Sequence, residues 1–215
     1  MCLSFNYTDY NDNPGIFNYF LLPNTTYYVR SYAITENNLW YYGNEESFTT
    51  LSVGQSGQGG GIVFYDKGNN TGGWQYLEAT ASTNQDTVEW GCYGQLIGGT
   101  KPNLGSGSTN TNLIVNGCSD ANFAAKICQD LVSGGKSDWF LPSAFECAIF
   151  CLNMNPLNSN TFYNSYDATY WSSTENSSSD AYYINYNGST NQVNICITPY
   201  YTKSNSRLVR AIRKY

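Results

Sequence analysis

Apolar and polar residues alternate in short runs, which predicts that much of the chain is β-strand. Near the N-terminus the alternation covers residues 27–33 and 46–51, on either side of a polar turn at residues 36–38. Two further runs, at residues 62–66 and 74–79, enclose a turn rich in glycine and asparagine and are typical of a hairpin. The C-terminal part has four more runs of this kind, at residues 169–174, 181–186, 193–197 and 208–212.

Two segments have the apolar spacing of an amphipathic helix. The first covers residues 121–131, and Ser119 is expected to cap its N-terminus. The second begins after Ser143, and Glu146, three residues later, completes the pattern of a capping box. A short buried strand is predicted between them, at residues 138–142. A hairpin, two helices and then several strands predict an α+β domain.

A glycine-rich connector at residues 52–60 divides the chain into a β module, residues 1–51, and a larger unit, residues 61–215. The length of 215 residues agrees with this division, because it corresponds to about 1.4 domains of ordinary size. A phosphate-binding loop would need Gly-Lys-Ser/Thr and a helix after the glycines. A strand is predicted there instead, so the segment is interpreted as a linker.

Composition excludes several classes of function. The chain has no histidine, which removes the commonest general base and the commonest metal ligand. Sixteen acidic and ten basic residues give a net charge of −6, which argues against a nucleic-acid partner. The sequence has no apolar run long enough to span a membrane. The start of the chain lacks the basic and apolar regions of a signal peptide.

The most abundant residues are those of antibody paratopes. The chain has 20 Tyr, 20 Gly, 27 Asn and 22 Ser. Tyrosine provides rigid contact area, and serine and asparagine provide adaptable hydrogen bonds. A tyrosine-rich β surface without a binding role has the same composition, so both interpretations stay open at this point.

Seven cysteines form no Cys-x-x-Cys pair, and no further ligands stand at zinc-site spacing. Cys147 and Cys151, four residues apart, are expected on one helix face. Buried free thiols are favoured over disulfides, although a pair such as Cys118–Cys128 stays possible. No metal or cofactor is predicted.

Catalytic chemistry is not expected either. The candidate carboxylates, which form no recognisable motif, are Glu78, Asp86, Glu89 and Glu175. The protein is therefore predicted not to be an enzyme. A structural role, an ion pair between Glu175 and Arg210 that joins two strands, is expected instead.

The N-terminal module resembles the second half of a fibronectin type III domain. The resemblance rests on residues 22–33, Leu-Pro-Asn-Thr-Thr-Tyr-Tyr-Val-Arg-Ser-Tyr-Ala, and on Gly43-Asn44-Glu45 and Phe48-Thr49-Thr50. It implies a partial all-β module of the fibronectin or immunoglobulin kind. A generic hairpin extension is the alternative.

Four spaced motifs mark the larger unit: Gly-Gly-Gly-Ile-Val-Phe-Tyr at 59–65, Asp-Trp-Phe-Leu-Pro-Ser at 138–143, Tyr-Trp-Ser-Ser-Thr-Glu at 170–175 and Val-Arg-Ala-Ile-Arg at 209–213. In this order they resemble the C-terminal domain of bacterial collagen-like adhesins. The resemblance implies a C-type-lectin-like fold, related to formylglycine-generating enzyme, with two helices around a small antiparallel sheet. It also implies that the last strands carry the ligand face.

Part of that family consists of variable proteins of diversity-generating retroelements, whose genes are rewritten at template adenines. Residues 176–206 suit this history, since they include six Asn, six Ser and five Tyr but only two charged residues, Asp180 and Lys203. Pro199 is unusual for a strand and belongs at an edge or a bulge. The resemblance therefore implies a variable region over residues 164–206.

The expected function is recognition of a protein or glycan receptor, on a virion or a cell surface, through this region. The alternatives are a static adhesin without diversification and a structural module that packs against sister chains; the oligomeric state is left open. The expected ligand-binding residues are Tyr166, Asn176, Ser178, Tyr183, Asn185, Asn187, Asn191, Asn194, Thr198, Tyr200, Tyr201 and Asn205.

Overall fold

The computed structural model describes residues 2–3, 26–34, 37, 39–49, 53–80, 87–154, 167–187 and 194–215. These residues form a mixed α+β structure, which confirms the predicted class at that level. Its helices are α1 (Gly107–Gly117), α2 (Ala124–Asp130) and α3 (Ala144–Met154). Its strands are β1 (Cys2–Leu3), β2 (Thr26–Val29), β3 (Tyr32–Ile34), β4 (Trp40–Tyr42), β5 (Glu46–Thr49), β6 (Ile62–Asp66), β7 (Tyr76–Ala79), β8 (Thr87–Glu89), β9 (Asp167–Glu175), β10 (Asp180–Asn187), β11 (Asn194–Thr202), β12 (Ser206–Leu208) and β13 (Ile212–Lys214).

The central sheet has six strands in the order β1-β11-β10-β9-β12-β8. Neighbouring strands of this sheet are antiparallel, except that β9 and β12 are parallel and pair at Tyr170 and Leu208. A second sheet, in the order β13-β7-β6, contains the predicted hairpin. The strand predicted at 208–212 is wrong as a single element, because the chain leaves the central sheet after Leu208 and joins β7 from Ile212.

The central sheet separates two hydrophobic cores. Tyr170 packs into one core and Trp171 into the other, because consecutive side chains of a strand point to opposite faces. The first core includes the buried face of α3, and its rings meet edge to face, with Phe150 5.5 Å from Phe64 and 6.1 Å from Tyr170. The second core contains Trp90 and residues of α1 and α2.

Local sequence correctly predicts the start of α3. The Ser143 backbone N–H donates to Glu146 at 2.8 Å, and the Glu146 N–H donates back to the Ser143 hydroxyl at 3.3 Å. This reciprocal pair is the predicted capping box. Cys147 and Cys151 are both buried on one face of α3, as expected from their spacing. The segment before α3 forms only a bridge between Phe140 and Ile212, not the predicted strand.

Helix α1 was not predicted, because its buried stripe is mostly polar. The residues facing the core are Gly107, Asn110, Thr111 and Ile114, at helical spacing but with one large apolar side chain. Asn110 exchanges hydrogen bonds with the backbone of Lys101, at 2.9 and 2.7 Å. The following helix begins at Ala124 with Phe123 at its N-cap and no side-chain cap, so the prediction of a Ser119 cap is wrong.

Strand β11 extends five residues beyond its predicted end, through Pro199. Thr198 pairs with Tyr183 and Tyr201 pairs with Ala181, so two residues of β11 stand opposite Tyr182 alone. This register shift is a β-bulge, where a proline disturbs the hydrogen-bonded ladder least.

The N-terminal strands β2 to β5 form two antiparallel pairs, β2 with β5 and β3 with β4. Tyr32 and Trp40 lie 5.2 Å apart between ring centroids, and Arg30 lies 4.7 Å above the ring of Tyr42. More than half of the surface of Tyr28, Tyr32, Trp40 and Tyr42 is exposed. The described part of this module therefore presents these aromatic side chains to the surface.

One disulfide is present among the described residues, and it joins Cys92 to Cys118. It links the loop after β8 to the end of α1. The pairing Cys118–Cys128 is wrong: Cys128 is a buried free thiol, and its burial raises its pKa. Cys147 and Cys151 are also buried thiols that form no disulfide, in line with the preference for buried thiols.

We expect removal of this disulfide to lower the free energy of unfolding by about 3 to 4 kcal/mol, since it closes a loop with a sequence separation of 26 residues. The test is urea unfolding of the double variant Cys92→Ser/Cys118→Ser. Reductant should lower the stability of the wild type more than that of the double variant. Equal stability of the oxidised wild type and the variant would contradict the expectation.

Candidate ligand-binding face

A buried carboxylate, that of Glu78 on β7, binds the end of the glycine-rich connector. It accepts the N–H of Gly59 at 2.9 and 3.1 Å and the N–H of Gly61 at 2.7 Å. Arg213 donates to it at 3.0 Å and forms two further hydrogen bonds, at 2.9 and 3.0 Å, with Asp138. These bonds from Arg213 lower the pKa of Asp138. Three of the four sequence motifs thus meet in one network.

The first motif requires a glycine at position 61, beside this network. A Cβ on Gly61 would lie 2.1 Å from the carbonyl oxygen of Ala79. The connector passes so close to β7 that a side chain has no space at this position. The residues of the network therefore have a structural role in the scaffold.

A second buried ion pair, between Glu175 and Lys203, joins the ends of β9 and β11. Its oxygen and nitrogen are 2.6 Å apart, and Lys203 has no exposed surface. The ammonium also donates to the carbonyl of Gln95 at 2.9 Å and lies 4.5 Å from the ring centroid of Trp90. The Glu175 carboxylate accepts the backbone N–H of Ile97 at 2.8 Å, so both charges are well paired.

The expected ion pair between Glu175 and Arg210 is wrong, since Lys203 occupies that role. Arg210 is buried and donates to the carbonyl of Thr80 at 2.9 Å. Lys203 lies inside the expected variable region, so part of that region is core. Ala181 and Ile184 of β10 are completely buried as well.

The two faces of the central sheet differ in how far helices cover them. Helix α3 packs across β9, β10 and β11 on one face, whereas α1, on the other face, packs mainly against β9 and α2. The side chains of Tyr183 and Tyr201 on this second face are only partly buried. It is therefore a face of β10 and β11 on which a ligand can reach side chains.

An aromatic and cationic cluster lies on this face. The rings of Tyr183 and Tyr201 meet edge to face, 4.9 Å apart between centroids, and Trp171 lies beneath, 6.4 Å from Tyr201. The guanidinium carbon of Arg207 is 3.8 Å from the ring centroid of Tyr201 and 5.9 Å from that of Tyr183. Tyrosine and arginine are the residues that most often dominate binding energy at protein interfaces.

The structure brings together only some of the expected ligand-binding residues. Tyr183 and Tyr201 are in contact, and the alternation of strand residues puts Asn185 on the face of Tyr183. The backbone of Thr198 stands opposite Tyr183, and Tyr200 falls in the bulge.

Those of the remaining expected residues that the structure describes lie at the two ends of β10, about 23 Å apart at the usual rise of about 3.3 Å per residue. Asn176, Ser178 and Asn205 are in the turns at one end. Asn187 and Asn194 pair at the other end. Tyr166 and Asn191 lie outside the described residues.

Sequence reasoning missed Arg207, which follows directly after the stretch chosen for its Asn, Ser and Tyr content. The available signal was alternation: Arg207 precedes the apolar Leu208 and so takes the opposite face of its strand. The partly buried face combines one cation with tyrosines and amides. Such a set can hold a ligand by ring contact and hydrogen bonds.

No metal cluster is evident in the described ranges beyond one weak candidate, Cys92, Cys118 and Asp120. Its two sulfur atoms are joined in the disulfide, and Asp120 accepts the backbone N–H of Cys92 at 2.6 Å. The thiolates that a metal would require are therefore not available there.

Comparison with protein-family models, with curated proteins and with solved structures finds no match. None of the helices in the described part of the chain has the length and apolar character needed to cross a membrane.

We expect Lys203→Met to lower the free energy of unfolding by about 3 to 5 kcal/mol, because it leaves Glu175 buried without its cation. The double variant Lys203→Met/Glu175→Gln should recover part of this loss. Chemical denaturation measures both. Lys126→Met is the matched control, since Lys126 forms an exposed ion pair with Asp130 on one helix. This substitution should lower the free energy of unfolding by less than about 1 kcal/mol. Equal effects at both lysines would contradict the assignment.

Proposed function

We propose that this protein is a non-enzymatic binding protein that recognises a receptor through the face of β10 and β11. In the proposal, residues 61–215 form a C-type-lectin-like scaffold and residues 1–51 a partial fibronectin-III-like module. The observation that carries it is the cluster of Tyr183, Tyr201 and Arg207, which remains partly exposed on an otherwise well-packed sheet. The place of action is the surface of a virion or a cell.

The distribution of buried charge supports this division into scaffold and face. Glu78, Arg213, Glu175 and Lys203 are buried in paired arrangements that join distant parts of the chain. The partly buried face carries tyrosine and asparagine, with Arg207 as the cation among its described residues. Substitution on the face changes contacts with a ligand, whereas substitution of a buried charge leaves its partner unpaired.

We further propose that the face is diversified by a retroelement acting on the 3′ end of the gene. Residues 164–206 are rich in the amino acids that randomised asparagine codons produce. The strand alternation sets which of them can vary without loss of the fold. Tyr183 and Asn185 are on the accessible face, whereas Ile184 between them is buried.

Deep sequencing of the last part of this gene across the source population tests the diversification. We expect differences at template adenines over residues 164–206, including the codons of Tyr183, Asn185 and Tyr201. The codon for Lys203 should stay constant in expressed proteins, because its side chain is buried against Glu175. A uniform 3′ end would reject diversification and leave a static adhesin.

Assembly is a second candidate function, favoured by the exposed tyrosines and tryptophan of β2 to β4. Exposed apolar patches often mark contact surfaces. Light scattering over a range of concentrations distinguishes the two. We expect a monomer mass that does not change with concentration. A trimer or larger particle, lost in the variant Trp40→Ser, would favour the structural module.

A further inference from the structure

Arg207 is held on the aromatic cluster in a way that leaves part of its hydrogen-bonding capacity unused. Its Nη1 donates to the carbonyl of Ser206 at 3.0 Å, and its Nε is buried without a hydrogen-bond partner among the described residues. No carboxylate in the described ranges forms a salt bridge with it. A buried donor without a partner lowers the stability of the fold, so a native protein usually satisfies it.

Asn185 contributes a second buried polar atom on the same face, and this atom is a hydrogen-bond acceptor. The Oδ1 of Asn185 is an acceptor without a partner among the described residues. One face of the sheet therefore offers both a donor and an acceptor that the described chain does not satisfy. The two atoms belong to different strands and different residue types, so they are independent observations.

The sheet register places these two residues on either side of Thr169. Leu208 pairs with Tyr170 in parallel, which puts the preceding Arg207 beside Thr169. Asn185 pairs with Thr169 directly from the other side. Two strand spacings of about 4.8 Å separate the backbones by about 10 Å. An extended ligand that crosses the strands passes over both residues.

We propose that this face binds an extended acidic segment of a protein ligand, with a carboxylate on the free edge of Arg207 and a peptide N–H on Asn185. This inference deepens the proposed receptor-binding function and rests on it. Since Nη1 is engaged by Ser206, the remaining edge of the guanidinium contains Nε, and that edge matches a carboxylate with two parallel hydrogen bonds.

The geometry of Tyr201 favours a peptide over a sugar. A sugar ring needs a flat, open aromatic face on which to stack. The Tyr201 ring is covered by the guanidinium at 3.8 Å and meets Tyr183 and Trp171 edge to face. The aromatic rings here orient Arg207 and lower its exposure, and this strengthens a hydrogen bond to a carboxylate.

The test is NMR titration of the full chain, in which the Nε–Hε signal of each arginine side chain is followed. The probe is the capped peptide acetyl-Gly-Asp-Gly-amide, and acetyl-Gly-Asn-Gly-amide is its uncharged match. We expect a saturable shift of the Arg207 signal with the acidic peptide at millimolar concentration. Binding of the asparagine peptide should be at least tenfold weaker, because it lacks the carboxylate.

Two variants locate the site. Asn185→Ala should lower the affinity for the acidic peptide several-fold, while the melting temperature stays near that of the wild type. Arg207→Lys removes the signal that identifies the residue, and the Tyr201 ring signals should then no longer respond to the peptide. Arg30→Lys is the matched control, because Arg30 also stacks on a tyrosine but on the other module, and its loss should leave binding unchanged.

The proposal is overturned by equal responses to the two peptides, by an equal response at Arg30, or by a response to N-acetylneuraminic acid alone. The last result would assign the site to an acidic sugar. These results are distinguishable from failure of the broader function. Variation at Tyr183 and Tyr201 without peptide binding would reject only the carboxylate site. Peptide binding with a uniform gene would reject only diversification.

Discussion

The buried ion pair between Lys203 and Glu175 is the constraint on which the proposed ligand face depends. Removing an ammonium and a carboxylate from water costs several kcal/mol per ion, so both must keep well-placed partners. Here the partners come from three places: the end of β9, the turn after β11 and the backbone at Gln95 and Ile97. Any change in the position of these segments would separate the charges. The strand ends that carry the face therefore have one arrangement.

The second ion-pair network, around Glu78, does the same for the opposite side of the domain. It joins the connector, the segment at Asp138 and the last strand at Arg213 by hydrogen bonds to the carboxylates of Glu78 and Asp138. Few charges remain for the surface in a chain with only 12% charged residues. The described side chains of the proposed face are mainly tyrosines and amides, which suits recognition by contact area and hydrogen bonding.

Local signals were sufficient wherever a segment determines its own structure. The capping box of Ser143 and Glu146, the first hairpin and the central strands could be read from the sequence for this reason. Partners that are distant along the chain could not be predicted in this way. The polar stripe of α1 is buried only because Asn110 finds the backbone of Lys101, and Cys118 pairs with Cys92 instead of the nearer Cys128. Neither contact produces a periodic pattern in the sequence.

The face itself was predictable only in outline, for a related reason. Composition identified the segment, but it could not tell that Lys203 is core and that Arg207, just outside, belongs to the face. Both facts depend on the sheet: its register brings Lys203, in the turn after β11, next to Glu175 at the end of β9, and the alternation of β12 puts Arg207 on the face. In the proposed variable segment, only alternate positions can change without loss of the fold. The buried positions between them, such as Ile184, preserve the register of the sheet.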